Sequence, residues 1–174
     1  DLRASTFHPP TLDLLEPFGV TGDLVARGLV CPHWQIRLHP DGDRAVFDLS
    51  VLAGETRHPY RLQCEQWKLS ESLLGHLQKE GNAEVIFGAP VTTVTQDEHK
   101  ASITVETSAG LQTHRARFII GADGARSLVR KAMDLPFVGE TYPETTLLVT
   151  TLFPFEEHLE GLSNVTYCWK RDGN

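Results

Sequence analysis

Apolar residues along this chain change their spacing several times, and each change marks an element. From Pro10 to about Gly28, Leu12, Leu15 and Phe18 recur at three-residue steps, which predicts two short helices. Pro17 breaks the first, Thr21 is placed to cap the second, Asp23 suits its positive first turn, and Gly28 ends it. The period then drops to two. Trp34, Ile36 and Leu38, followed by Ala45, Phe47 and Leu49, alternate with polar residues on either side of Pro40-Asp41-Gly42-Asp43. Asp-Gly between two alternating runs predicts a hairpin, because glycine accepts the positive φ of a tight turn.

Residues 53–62 read as a loop, and they lead into Glu65–Lys79, the strongest helical segment. There Leu69, Leu73 and Leu77 form a stripe, Trp67 and Leu74 lie seven residues apart, and Gly81 closes the helix. Four strand-like runs follow: Glu84–Phe87, Val91–Thr95, Ile103–Thr107 and Arg115–Ile120. The last ends at Gly121-Ala122-Asp123-Gly124, after which Arg126–Ala132 is helical again. Beyond Pro136, Thr145–Phe153 and Val165–Trp169 read as strands. The order is mixed α/β, with a three-stranded antiparallel meander before the Gly-Asp-Gly turn. An apolar strand running into a glycine-bracketed acid is the pattern of the carboxyl edge of a buried sheet, where α/β folds hold ligands.

The chain has 174 residues, 40% hydrophobic and 22% charged, which suffices for a core of about one domain plus a partial neighbour. With 16 basic against 23 acidic residues the net charge is −7, which argues against nucleic acid or an anionic membrane as partner. No apolar run approaches the length of about 18 residues that spans a bilayer. No signal peptide is visible, and the only methionine is Met133, so the chain reads as an excised or processed piece. Three cysteines without short spacing suit a reducing compartment, and the cytoplasm is the simplest expectation. The eight histidines show no zinc spacing and read as surface or packing groups, so no metal is expected.

The richest chemistry lies at Gly121–Arg130. Gly121 and Gly124 allow a close approach of backbone to ligand, and Asp123 offers a fixed acceptor for hydroxyls or amides. Ser127 can satisfy a helix-start amide, while Arg126 and Arg130 can meet phosphate or a carboxylate. An equally economical reading is a strand-to-helix turn in which Asp123 caps the helix.

Asp123-Gly124-x-x-Ser127-x-x-Arg130 after a hydrophobic strand resembles the D-G-x-x-S-x-x-R fingerprint of the FAD-dependent aromatic hydroxylases, single-component flavoprotein monooxygenases with the p-hydroxybenzoate hydroxylase fold. The resemblance implies that Asp123 and Arg130, with Gly121 and Gly124 as the permissive backbone, serve FAD and NAD(P)H binding. Arg3, before Thr11-Leu12-Asp13, resembles the family's FAD-contacting arginine, and Gln66 at the head of the long helix resembles its flavin-side glutamine, with Gln63 as the register alternative. The implied parent hydroxylates a small phenol-like aromatic with NAD(P)H and O₂. The implied layout is a partial Rossmann-like FAD-binding domain over residues 1–135 and the first strands of a substrate domain over 136–174.

The family's G-x-G-x-x-G strand, its ribose-binding acid and its later Gly-Asp segment are missing from this sequence, so the piece alone is expected to be inactive and to hold FAD poorly. No residue is assigned as a catalytic base. Alternatives are another FAD oxidoreductase sharing the fingerprint, of the halogenase or isoprenoid reductase type, or a non-catalytic module that self-associates, with a homodimer as one outcome.

Overall fold

The computed structural model describes residues 5–170. Strand β1 (Thr6–Phe7) leads into helix α1 (Pro9–Leu15), whose first turn accepts two prolines because its amides need no partner. Pro17 ends α1 as expected: a 3₁₀ turn over Glu16–Phe18 intervenes before α2 (Thr21–Arg27). Next come β2 (Leu29–Cys31), the hairpin β3 (His33–His39) and β4 (Arg44–Asp48), β5 (Arg61–Gln63), and α3 (Gln66–Glu80) closed by Gly81. Strands β6 (Val91–Gln96), β7 (Ala101–Thr107) and β8 (Gly110–Ala116) precede the short helices α4 (Leu128–Ala132) and α5 (Phe155–His158), and β9 (Thr166–Lys170) is last.

The chain forms two compact units, one of residues 1–84 with 150–174 and one of residues 85–149. The expected functional division at 135/136 falls inside the second of these.

The first unit carries two three-stranded sheets. In one, β5 lies between β1 and β2, with Leu62 opposite both Phe7 and Val30. Phe7, Leu12, Leu24, Leu62 and Cys64 pack into a core beneath it, with Leu15, Val25, Tyr60 and Leu69 around them. In the other, β3 pairs antiparallel with β4 and parallel with β9. The hairpin register sets Trp34 against Phe47, as the alternation requires, and their rings stack at 4.1 Å. Gln35, fully buried, donates from Nε2 to Thr166 Oγ1 (3.0 Å) and to the Gly161 carbonyl (3.2 Å), which ties the distant β9 to β3.

Two local expectations change their cause. Thr21 does not cap α2. It is the first helical residue, and its hydroxyl donates to the Leu12 carbonyl at 2.9 Å, bonding α2 to α1. Gly28 does end α2, but in an extended conformation. A Cβ there would sit 2.8 Å from Leu62 Cδ1 and 2.9 Å from the Gln63 carbonyl, so closeness to β5 is what demands glycine.

In the second unit, β6, β7 and β8 form the expected meander. Helix α4 packs on β6, and Val105 is buried. Of the expected strands, Glu84–Phe87 and Thr145–Phe153 are not formed, and the third meander strand, expected over Arg115–Ile120, runs over Gly110–Ala116 instead, so that only residues 115–116 of the expected run are paired. Residues 84–87, 117–120 and 145–153 lie outside every strand, and Ile86, Phe87, Phe118, Ile120, Leu147, Leu148 and Leu152 are exposed. A strand exists only where a neighbour takes its amides and carbonyls, and no strand among the described residues pairs with these segments.

Candidate functional site

The ten residues singled out in the sequence form a closed knot in the second unit. Asp123 Oδ1 accepts the Ser127 hydroxyl at 2.6 Å, and Oδ2 accepts the amides of Leu128 (2.6 Å) and Val129 (3.3 Å). Ser127 is the N-cap of α4 and accepts the Arg130 amide at 3.0 Å. Arg130 returns its guanidinium to the Ala125 carbonyl (2.9 Å) and lies 4.5 Å from the ring of Phe137. The acid, serine and arginine at their fixed spacing are therefore one hydrogen-bonded circuit, and the helix-capping role of Asp123 is formed. The Ser127 hydroxyl first, then the two amides, hold the Asp123 carboxyl below the usual carboxylate range.

The two glycines act differently. A Cβ on Gly121 would lie 2.7 Å from Val129 Cβ, so this glycine permits α4 to pack against the preceding segment. Gly124 has φ +73° and open space around it. Asp123 is exposed, its Oδ1 accepts a single bond, and the Gly124 backbone is open. That donor and acceptor set fits the hydroxyls and amides of a dinucleotide.

Gln66 belongs to the first unit, where it is the exposed first residue of α3. Its register alternative, Gln63, is half-buried on β5 and accepts the Thr6 hydroxyl at 2.8 Å. Arg3 lies outside the described residues.

The first unit also has a cavity of about 970 Å³ that the sequence did not reveal, lined by Trp34, Ile36, Leu49, Tyr167 and Trp169 together with Arg61 and other residues. It draws on the hairpin, β5 and β9, segments far apart in the chain. The one available signal was the hairpin alternation, which places Trp34 opposite Phe47; residues 53–62 read as loop, and nothing local marked Arg61. Beside the cavity, ligand atoms of Asp13, Glu16 and His58 lie within 4.8 Å of one another. Asp13 accepts from Thr56 (2.7 Å) and sits 2.7 Å from His58 Nδ1, while Glu16 pairs with Arg57 at 2.9 Å. These bonds account for the cluster, and Thr56 first, then His58, keep the Asp13 carboxyl below its ordinary range.

The second unit thus carries a glycine-bracketed acid that caps a helix, in a mixed α/β fold. The FAD binding domain family matches residues 1–173, and the chain belongs to that family. Para-nitrophenol 4-monooxygenase of Pseudomonas sp. (strain WBC-3) is 36% identical over 168 residues, 95% of this chain and 41% of that protein. The 6-hydroxy-3-succinoylpyridine 3-monooxygenase of Pseudomonas putida (strain DSM 28022 / S16) is 33% identical over 156 residues, 89% of this chain and 40% of that protein. Among solved structures, p-nitrophenol 4-monooxygenase from Pseudomonas putida DLL-E4 superposes with a TM-score of 0.77 at 34% identity, over 82% of this chain and 36% of that one. The chain spans about two-fifths of the length of these relatives. Among the described residues no helix is long and apolar enough to cross a membrane.

Proposed function

We propose that this chain is part of an FAD-dependent monooxygenase that hydroxylates a small phenol-like aromatic at the expense of NAD(P)H and O₂. The observation that carries the reading is the Asp123–Ser127–Arg130 circuit in a chain of the FAD-binding family; the names of the monooxygenase relatives add support. Bound FAD would supply the oxygen-activating chemistry, and the protein's part is to hold and orient it and to keep water out. Asp123 would accept a hydroxyl or amide hydrogen from the cofactor while it fixes the start of α4. Gly124 would let the backbone approach, Arg130 would brace the turn from within, and Arg3 and Gln66 would make the remaining cofactor contacts. The free cysteines, Cys31 and Cys64 buried and Cys168 exposed, support a reducing, cytoplasmic setting.

The test is made on the full-length protein that carries these residues. It should purify yellow or turn yellow when given FAD, and it should oxidise NAD(P)H when offered a phenol, with a hydroxylated product. Asp123→Ala should weaken FAD retention about tenfold or more, the scale of a hydrogen bond to a charged group. A protein that stays colourless with FAD supplied overturns the reading.

A further inference from the structure

Arg61 lines the aromatic cavity of the first unit and is only 8% exposed. A cation this deeply placed is costly unless an anion faces it. Among the described residues no carboxylate pairs with it. Its side chain gives one hydrogen bond among the described residues, from Nη2 to the Tyr167 hydroxyl at 3.2 Å, with the guanidinium 5.8 Å from that ring, and its buried Nε has no partner among them. Of the acids lining the same cavity, Asp13 is occupied by Thr56 and His58, and Glu55 is at an exposed position. The charge of Arg61 is felt in the cavity: burial first, then Arg61, hold the His8 imidazole below its ordinary value. Around the cation stand flat surfaces. Trp34 meets Tyr167 edge-on at 5.8 Å, and Trp169 lines the same space.

We propose that Arg61 is the anion-recognising residue of this cavity, and that the cavity takes a planar aromatic ring bearing an anionic oxygen, such as a phenolate. The ring lies against Trp34 and Tyr167, and the oxygen meets the guanidinium, whose planar fork suits an oxyanion. Aromatic contacts supply affinity without choosing between charged and neutral rings, so the choice falls to Arg61. The inference rests on the monooxygenase reading only for expecting an aromatic ligand.

The experiment is titration calorimetry on the full-length protein without reductant, so that nothing turns over. The probes are 4-nitrophenolate and its neutral counterpart 4-nitroanisole. The wild-type protein should bind the phenolate at least about tenfold more tightly, the scale of a charge-assisted hydrogen bond. Arg61→Gln should erase that preference while leaving the anisole affinity within about threefold. Because Arg61 sits in the central strand of its sheet, Arg61→Lys, which keeps the charge and should keep the preference, serves as the second variant, and the wild-type comparison needs no variant. Equal affinity of the two probes for the wild type, or an Arg61→Gln protein that still prefers the phenolate, overturns the proposal. Flavin colour is read on the same preparations. A yellow protein that does not discriminate defeats the Arg61 assignment and leaves the monooxygenase reading standing, whereas a colourless protein that still prefers the phenolate through Arg61 does the reverse.

Discussion

The two units hold themselves together by different means. The first buries Phe7, Leu12, Val20, Leu24, Cys31, Leu62 and Cys64 and brings together strands from distant parts of the chain. The second buries Val105, leaves Leu111, Phe118 and Ile120 exposed, and relies on a meander with short connections and on the hydrogen-bonded knot at Asp123. Apolar burial dominates stability where it exists, while a knot of caps and turns gives local order without much core. The comparison teaches where each kind of site can be built. A motif legible in ten consecutive residues sits in the thinly packed unit, and a cavity assembled from remote segments sits in the well-packed one.

The sharpest way to break that contrast is Leu62→Ala, a fully buried side chain at the centre of the first core. It should cost about 2–5 kcal/mol in denaturant or thermal unfolding, as large-to-small core changes do. A cost near zero would mean the core is not what holds this unit. Gly121→Ala should cost about 1–3 kcal/mol by overpacking against Val129. Adding Val129→Ala should restore part of the loss, because the obstacle is a side chain; no recovery in the double variant would refute the contact.

Ser127→Ala, which removes the N-cap of α4, should cost about 0.5–2 kcal/mol. Its effect should be local, read as faster amide exchange at Arg130. The same cap should respond to acid. Because the Asp123 carboxyl is held low in the folded chain, its contribution is fully present above the ordinary carboxylate range. It fades only as pH falls through that range toward the depressed folded value. The protection of the Leu128 and Val129 amides, exchange measured relative to the unstructured chain at the same pH, should therefore fall on strong acidification and stay flat near neutrality; a loss of protection between pH 6 and 8, on the order of ordinary histidine titration, would contradict the assignment. The smallest effect belongs to Leu111→Ala, 70% exposed on β8, which should change stability by no more than about 0.5 kcal/mol.

Much of this was legible beforehand. The helix pair broken at Pro17, the hairpin around Asp41-Gly42, the long helix ending at Gly81 and the antiparallel β6–β7 pair all follow from local spacing and turn chemistry, and each formed as expected. The runs at 84–87 and 145–153 carried the same apolar signal and did not become strands, and the run expected over 115–120 is a strand only as far as Ala116. Periodicity reports a segment's readiness to pair, and pairing itself needs a partner. Gly28 shows the same division within one residue: its place at the end of α2 was readable, but its reason, contact with Leu62 and Gln63, was not.

The sequence by itself determined the helices, the β3–β4 hairpin and the turn chemistry at Asp123, because these are built from residues within a few positions of one another, where spacing fixes geometry. Only the tertiary structure decided that Arg61, Trp34, Tyr167 and Trp169 share one cavity and that Arg61 stands there without a carboxylate among the described residues. Burial and charge pairing are properties of neighbours in space, and these neighbours come from β3, β5 and β9, which sheet pairing and side-chain contacts bring together and linear order does not.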